Sequence, residues 1–498
     1  MKSGYVAAFH FAAVTFAALV YAACADSARA AGPKIDIVVG AGAAPLEKLA
    51  AEETAAILKK LYEAEAPIST SVPAGDGPLV VVGTQASNPA FGQLKLNLPA
   101  VVQQDFAVKT YRDGNRTIVA VTAAAPEAVP HAAYELGWRL GVRYFTFGDL
   151  YPAEPPALDK LEIDAVGRPP QKRELVHYAG LKSPLDYAPW SADDWQTLLH
   201  QLAKLRYRRV VLGPPPVNLG GNMAGMPIAI TSDTMGRAAF KGAKTFDNAD
   251  LSAATSEAAR VAAGTKLLTT VREEGKRLGI EVVDASSVFA SFDDVLSAIH
   301  TDYYLVANSR LDVDERFAHT TICPEILDPV CGEEVGERVQ RAFAEYDRAT
   351  LAVNRGDDQF GLLGPKMLLR HFEIDEPPPG WWKAARTHYL NAMNEMYRAN
   401  TRAREGGRAF TLYYARRFEF AVEYVNACEA VRRAGLAKRK GDKDAQIAEL
   451  EKAIDSVTNC CNAMAAVART PTDRGYIAVM NEYAYRPLLK LLEAADAE

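Results

Sequence analysis

The sequence predicts a multidomain chain of α/β and α+β class: an N-terminal α+β sandwich domain, a (β/α) barrel-like middle domain and a helical C-terminal domain. Three observations predict it. Strands and amphipathic helices alternate between residues 34 and 165, and strand–helix units recur from Arg173. From about residue 381 apolar residues fall at helical spacing almost throughout. The 498 residues are 49% hydrophobic and 24% charged, with a formal net charge of −6. That composition is globular and excludes a disordered, collagen-like or disulfide-dense chain. The charge lacks the basic excess of a nucleic-acid binder.

Lys2 precedes an apolar stretch from Tyr5 to Ala25, and Ala28-Arg29-Ala30 offers a small-x-small cleavage site. This pattern predicts a signal peptide over residues 1–30 and export to the periplasm or beyond. No second apolar span follows, so none is expected after cleavage. Val20–Cys24 loosely resembles a lipobox and would anchor the chain at Cys24, although Tyr21 stands where leucine is usual. In an oxidising compartment Cys323 and Cys331 could close a small loop, and Cys428 could meet Cys460 or Cys461. There are no CxxC pairs, and neither a structural metal nor a cofactor is expected.

Residues 31–165 form the first domain. Lys34–Gly40 and Pro78–Thr84 read as strands around a helix that carries Leu46, Leu49, Ile57, Leu58 and Leu61 on one face. Phe106–Tyr111 and Thr117–Val121 flank Asp113-Gly114 as a hairpin. Helix 126–140 then leads to a strand over Gly141–Phe145. The alternation predicts an antiparallel sheet with helices on one face. Gly40-Ala41-Gly42 resembles the start of a dinucleotide fingerprint, but Pro45 replaces the third glycine and no parallel βαβ unit is expected. An ordinary strand-to-helix turn is the expectation there.

The Pro-bearing stretch VGRPPQKR marks the border to the middle domain, residues 166–400. Its strands are expected at Glu174–Gly180, Arg209–Gly213, Ile280–Asp284 and Lys366–Asp375. Ser191 and Asp194 resemble a capping box ahead of a helix with Trp195, Leu198, Leu199, Leu202 and Leu205 on its apolar face. A loop over 217–250 and a helix over 252–278 follow. A full barrel takes eight strands and about 250 residues. The barrel is therefore either shortened or holds strands without a periodic signature.

Residues 401–498 form the helical domain. Phe418, Ala421, Val422, Val425 and Cys428 make one stripe, helix 444–467 follows, and a last helix begins after Asp473-Arg474-Gly475. Lys438-Arg439-Lys440 reads as a solvated inter-helix loop.

The sharpest chemical cluster is His371-Phe372-Glu373-Ile374-Asp375-Glu376, followed by Trp381 and Trp382. On a strand, His371, Glu373 and Asp375 share a face and Glu376 falls just past its end, which in a barrel is the catalytic rim. Crowded carboxylates raise one pKa toward that of a general acid, and the tryptophans offer flat faces for a sugar ring. The other reading is a solvated acidic strand end with tryptophans capping the barrel. Asp312, Asp314 and Glu315, near His319, could supply a partner carboxylate or merely a loop or helix cap. Asp284 at its strand end is a third candidate. His177 reads as a core or rim residue, and Ser286-Ser287 lacks the GxSxG turn of a hydrolase nucleophile.

The order of leader, α+β domain ending in AAYELGWRLGVRYF (Ala132–Phe145) and following βα units resembles exported glycoside hydrolases. The similarity is to family 20 β-N-acetylhexosaminidases and family 67 α-glucuronidases. Leu202–Val211 looks like the first barrel helix entering the second strand. The resemblance covers residues 34–215 fairly well and the rest loosely. His371, Asp375 and Glu376 match the spacing of the hexosaminidase signature His-x-Gly-x-Asp-Glu, with Glu373 in place of its glycine. The resemblance implies that Glu376 protonates the leaving oxygen and Asp375 orients a 2-acetamido group. His371, Trp381, Trp382, Asp312 and Asp314 would then contact substrate. It implies a hydrolase acting on amino-sugar or uronic-acid glycans, with a glycan as partner. The alternatives are a degenerate relative that binds glycans or scaffolds exported proteins without turnover, and a purely structural cell-envelope protein. Nothing in the sequence fixes an oligomeric state.

Overall fold

The computed structural model describes residues 32–146, 148–167, 176–181, 184–213, 227–284, 318–356 and 368–497. The expected signal peptide, Cys24, Ser286-Ser287, Asp312, Asp314 and Glu315 lie outside the described residues, as do the side chains of His319 and Cys323.

The first part of the chain runs β1 (Asp36–Val39), α1 (Pro45–Tyr62), β2 (Ile68–Ser69), β3 (Leu79–Thr84), α2 (Ala90–Gln93), β4 (Phe106–Asp113), β5 (Arg116–Ala123), α3 (Val129–Arg139), β6 (Arg143–Phe145), β7 (Gly148–Leu150) and β8 (Asp164–Gly167). Six strands pair in the order β2-β1-β3-β5-β4-β8. The sheet is mixed, not antiparallel as expected. Strands β2, β1, β3 and β5 are parallel, with Ile37 opposite Val80 and Val81 opposite Ala120. Strand β4 runs antiparallel to both β5 and β8. The cause lies in β3. All six of its residues are buried, and a strand covered on both faces suits a parallel crossover better than a hairpin.

One sheet face, with Ile37, Val80, Val82, Val119 and Val121, packs under Leu49 and Leu58 of α1 and Leu136 of α3. The other, with Val38, Leu79, Val81 and Ile118, packs on Phe91. Burying each such side chain contributes about 1.5–3 kcal/mol. Strand β3 therefore anchors the sheet, while β2, whose Ile68 is 42% exposed, adds little. The expected hairpin is present, with Gly114 at φ 58° in its two-residue loop. Residues 143–145 do not join the main sheet but pair with β7 as a separate ribbon.

The middle part holds β9 (Val176–Ala179), α4 (Ala192–Lys204), β10 (Arg209–Leu212), β11 (Ile228–Ala229), β12 (Thr245–Phe246), α5 (Glu257–Arg277) and β13 (Glu281–Asp284). The capping box forms: Asp194 N–H donates to Ser191 Oγ at 3.3 Å and Ser191 N–H to Asp194 Oδ2 at 3.0 Å. It starts α4, which buries Trp195, Leu198, Leu199 and Leu202. Strands β13, β10 and β9 form a parallel three-stranded sheet, with Val210 opposite both His177 and Val282. Among the described residues this sheet does not close into a barrel. Salt bridges at 2.6 Å, Arg206 to Glu135 and Lys204 to Asp149, tie it to the first part of the chain.

The fourth expected strand is a helix. The remaining elements are α6 (Ala318–Cys331), α7 (Val335–Asn354), α8 (Leu369–Glu373), α9 (Gly380–Arg402), α10 (Glu405–Lys440), α11 (Lys443–Ala465), α12 (Pro471–Met480) and α13 (Arg486–Ala497). The helical region thus begins by Ala318. A border at 400/401 would separate α9 from α10, which share one core through Met396, Ala399, Phe410 and Phe418. Lys438-Arg439-Lys440 closes the last turn of α10 instead of forming a loop, and Asp473-Arg474-Gly475 lies inside α12. Cys331, Cys428, Cys460 and Cys461 are buried and form no disulfide among the described residues.

Candidate functional site

The acidic cluster that stands out in the sequence is placed on a short helix and the strap that follows it. In α8, His371 is fully buried and meets Trp382 edge-on, with ring centroids 5.0 Å apart. Trp382 is itself core, so neither ring is open to a sugar. Trp381 stands 6.1 Å from Trp382 at a steep tilt. Beyond the helix the side chains of Asp375 and Glu376 are 77% and 83% exposed. Asp375 accepts from Arg439 Nε at 2.8 Å. Buried Arg432 donates from Nε to the Glu376 carbonyl at 2.6 Å, and its guanidinium lies 5.5 Å over the Trp382 ring. This arrangement straps residues 374–379 onto α10. It does not stack carboxylates over a cleft, because a helix of period 3.6 cannot hold His371, Glu373 and Asp375 on one face. Asp284 ends β13 and pairs with Arg272 at 3.0 Å.

The glycine pair after β1 does open a parallel β1–α1–β3 unit, contrary to expectation. It carries no phosphate site. Glu47, 1% exposed, fills that position with its own carboxylate. Its Oε1 accepts from Thr84 N–H at 2.8 Å and from the Ser87 hydroxyl, and its Oε2 from Ala44 N–H at 2.7 Å. A Cβ on Gly40 would stand 1.9 Å from the Ser87 carbonyl, so the glycine serves this close packing.

A different concavity has the chemistry of a site. A cleft of about 510 Å³ opens between the loop that leaves β9 and the helical layer. In open α/β sheets ligands sit beyond the carboxyl ends of the strands, and Tyr187 and Trp190 in that loop supply one wall. Helix α10 supplies two more through its period. Tyr414 and Phe418 lie one turn apart, and Tyr413 and Arg417 form the adjacent stripe. Phe343 of α7 meets Tyr414 at 5.2 Å and Phe418 at 6.1 Å, both edge-to-face. Tyr346 meets Phe418 at 5.6 Å and Tyr389 at 6.2 Å.

The second stripe is polar. Arg417 Nη1 donates to Asp473 Oδ1 at 3.0 Å and to the Tyr413 hydroxyl at 2.8 Å. The Tyr413 hydroxyl donates to the same Oδ1 at 3.0 Å. Burial pushes Tyr413 up to about 12, so it keeps that proton at neutral pH. The guanidinium lies 5.3 Å from the Tyr413 ring and 5.8 Å from the Tyr476 ring. Asp473 Oδ2 accepts from the N–H groups of Thr470 at 2.9 Å and Arg469 at 3.0 Å, which caps α12. Asp473 is thereby spent, whereas Nε and Nη2 of Arg417 make no hydrogen bond to a described residue. The side chain remains 34% exposed. The two walls are joined where Trp190 Nε1 donates to Thr472 Oγ1 at 2.8 Å, which in turn donates to the Asp186 carbonyl at 2.7 Å.

Beneath the loop, His177 Nε2 lies 2.9 Å from the Tyr187 hydroxyl, and burial lowers His177 to about 4. The ring is neutral at pH 7, and its hydrogen bond with the Tyr187 hydroxyl positions Tyr187 as a rim residue. None of the described residues that the sequence offers as catalytic or substrate-binding lines the cleft. Its signals were the dense run Tyr413-Tyr414-x-Arg416-Arg417-Phe418-x-Phe420 and the box from Thr470 to Asp473.

No protein-family profile matches the chain, and no curated protein matches it in sequence. Among solved structures it is similar to a family GH115 4-O-methyl-α-glucuronidase with specificity for decorated arabinogalactans. The TM-score is 0.48 and the identity 11%, over 90% of this chain and 79% of that one. It is also similar to a GH138 enzyme targeting pectin rhamnogalacturonan II, with TM-score 0.42 and 9% identity over 93% and 100% of the two chains. A third is CpGH84D, with TM-score 0.29 and 8% identity over 90% and 96%. All three bear glycoside-hydrolase designations, the class that the sequence resemblance names. Each TM-score is below 0.5.

Proposed function

We propose that this is an exported, glycoside-hydrolase-like protein that holds a uronic-acid-bearing glycan in the aromatic cleft. The observation that carries the reading is Arg417, which lines the cleft, is anchored through Nη1 by Asp473 and Tyr413, and keeps its side chain 34% exposed. A guanidinium fixed in this way presents the two parallel donors that a carboxylate accepts, and the flanking rings suit the C–H face of a sugar. A neutral acetamido group offers one carbonyl oxygen where a carboxylate offers two, so the uronic acid is favoured over the amino sugar.

Binding is favoured over cleavage. Glycosidases that use protein groups need two carboxylates, and the one carboxylate among the described lining residues, Asp473, is engaged at both oxygens. Asp375 and Glu376 do not line the cleft. Titration calorimetry with a glucuronate-bearing oligosaccharide, against the same compound with its carboxylate reduced to an alcohol, tests the reading. The acidic form is expected to bind at least about tenfold tighter, as a charge-assisted hydrogen bond supplies, and Arg417→Gln to erase the difference. Equal affinities, or discrimination retained by Arg417→Gln, would contradict it.

A further inference from the structure

We infer that the glycan carries a second uronate beside the one on Arg417, and that Arg474 and Lys241 receive this second carboxylate in a neighbouring hollow. The inference rests on the acidic-glycan reading and extends the ligand from one acidic sugar to a stretch of polyuronate. The hollow measures about 280 Å³ and has both cations in its lining. Three chain segments border it and the cleft alike. In the β9 loop, Trp190 lines the cleft and Pro189 the hollow. On α12, Asp473 lines the cleft and Arg474 the hollow. On α4, Leu198 lines the cleft and Asp194, one turn earlier, the hollow. Consecutive Cα atoms stand about 3.8 Å apart, so the two cavities are neighbours on either side of the Trp190–Thr472 bond.

The charges of the hollow favour an anion. Asp247 is neutralised by Arg260, whose Nη1 and Nη2 each donate to one of its oxygens at 2.9 Å. Asp194 accepts from the Ser191 N–H at 3.0 Å and hydroxyl at 2.6 Å, at the positive end of α4. Arg474 and Lys241 have no hydrogen bond or ion pair among the described residues. With Arg260 counted, the cations outnumber the carboxylates. A uronate on the adjoining sugar suits the hollow better than a free anion, because the first uronate on Arg417 raises its local concentration there.

The test is calorimetric binding of the full chain to a short linear oligoglucuronate, to a neutral oligoglucoside of equal length bearing a single glucuronate, and to methyl glucuronide. The oligoglucuronate is expected to bind at least about tenfold tighter than the single-acid oligomer, with the gap narrowing as salt is added. Arg474→Gln combined with Lys241→Gln is expected to cut the ratio to about twofold, with thermal unfolding as in the wild type because both side chains reach solvent. Equal affinity for the two oligomers, or a tenfold ratio that survives the double variant, would overturn this inference, and binding of methyl glucuronide would leave the acidic-glycan reading standing. Failure of every glucuronide probe to bind would overturn both.

Discussion

Glu47 takes the place that a ligand phosphate takes in dinucleotide folds. Burial alone would raise its pKa, but the donors from Ser87, Thr84 and Ala44 outweigh burial and hold it below the ordinary 4.5. Glu47→Ala strands those donors and is expected to cost roughly 2–3 kcal/mol in urea unfolding. Since the native pKa lies below the unfolded one, the carboxylate's contribution is complete above pH 4.5 and is lost as pH falls through the native value. Glu47→Gln should flatten that acid limb.

His177 works in the same direction at a higher pH. The unfolded chain binds its proton near 6.5, whereas the native ring stays neutral down to about 4. Its share of stability is therefore whole above pH 6.5 and declines between 6.5 and 4. Imidazole NMR titration should find the low value, and His177→Gln should remove this part of the slope. A native His177 that titrates near 6.5 would contradict the account.

Among elements, α8 shows how a short segment misleads. Over Lys366–Asp375 the residues alternate well enough for a strand, yet the two buried positions among its described residues, Leu368 and His371, are three apart, the spacing of a helix. Ten residues are too few to separate the two periods, and the choice is settled by Arg432 and Arg439 of α10, which no local pattern reveals. Longer elements were legible. Helix α4 shows its capping box and apolar face in the sequence, and the hairpin shows its glycine. The parallel order of β1 and β3 is also written there, in the unbroken apolar run of Leu79–Val82.

For the strap, Asp375→Asn and Glu376→Gln should each change stability by less than about 1 kcal/mol, because pairs this exposed contribute little. Arg432→Ala should cost about 2–4 kcal/mol, since it opens a buried site against Trp382. Chemical denaturation of the three variants orders these effects. An equal loss from Glu376→Gln would show that the strap depends on its carboxylate.

On the scale of the molecule, the cleft exists only because three regions distant in sequence converge: the β9 loop, α7 with α9, and α10 with α12. Candidate residues at 371–382 cluster in sequence and could be found by inspection. The cleft residues are assembled by packing, and the sequence shows only the run at 413–420 and the box at 470–473. The mixed sheet and the three-stranded parallel sheet support this arrangement from below, and the bond from Trp190 to Thr472 joins its two sides. Closing the cavity by Phe418→Trp should weaken glucuronate binding at least about tenfold while far-ultraviolet circular dichroism stays as in the wild type.

The most direct measurement is a crystal structure of the full chain soaked with methyl glucuronide. The sugar carboxylate is predicted about 2.7–2.9 Å from Nε and Nη2 of Arg417, with its ring between Tyr413, Tyr476 and Trp190. Sugar bound instead beside Asp375 and Glu376, with the cleft at 413–476 holding none, would contradict the assignment.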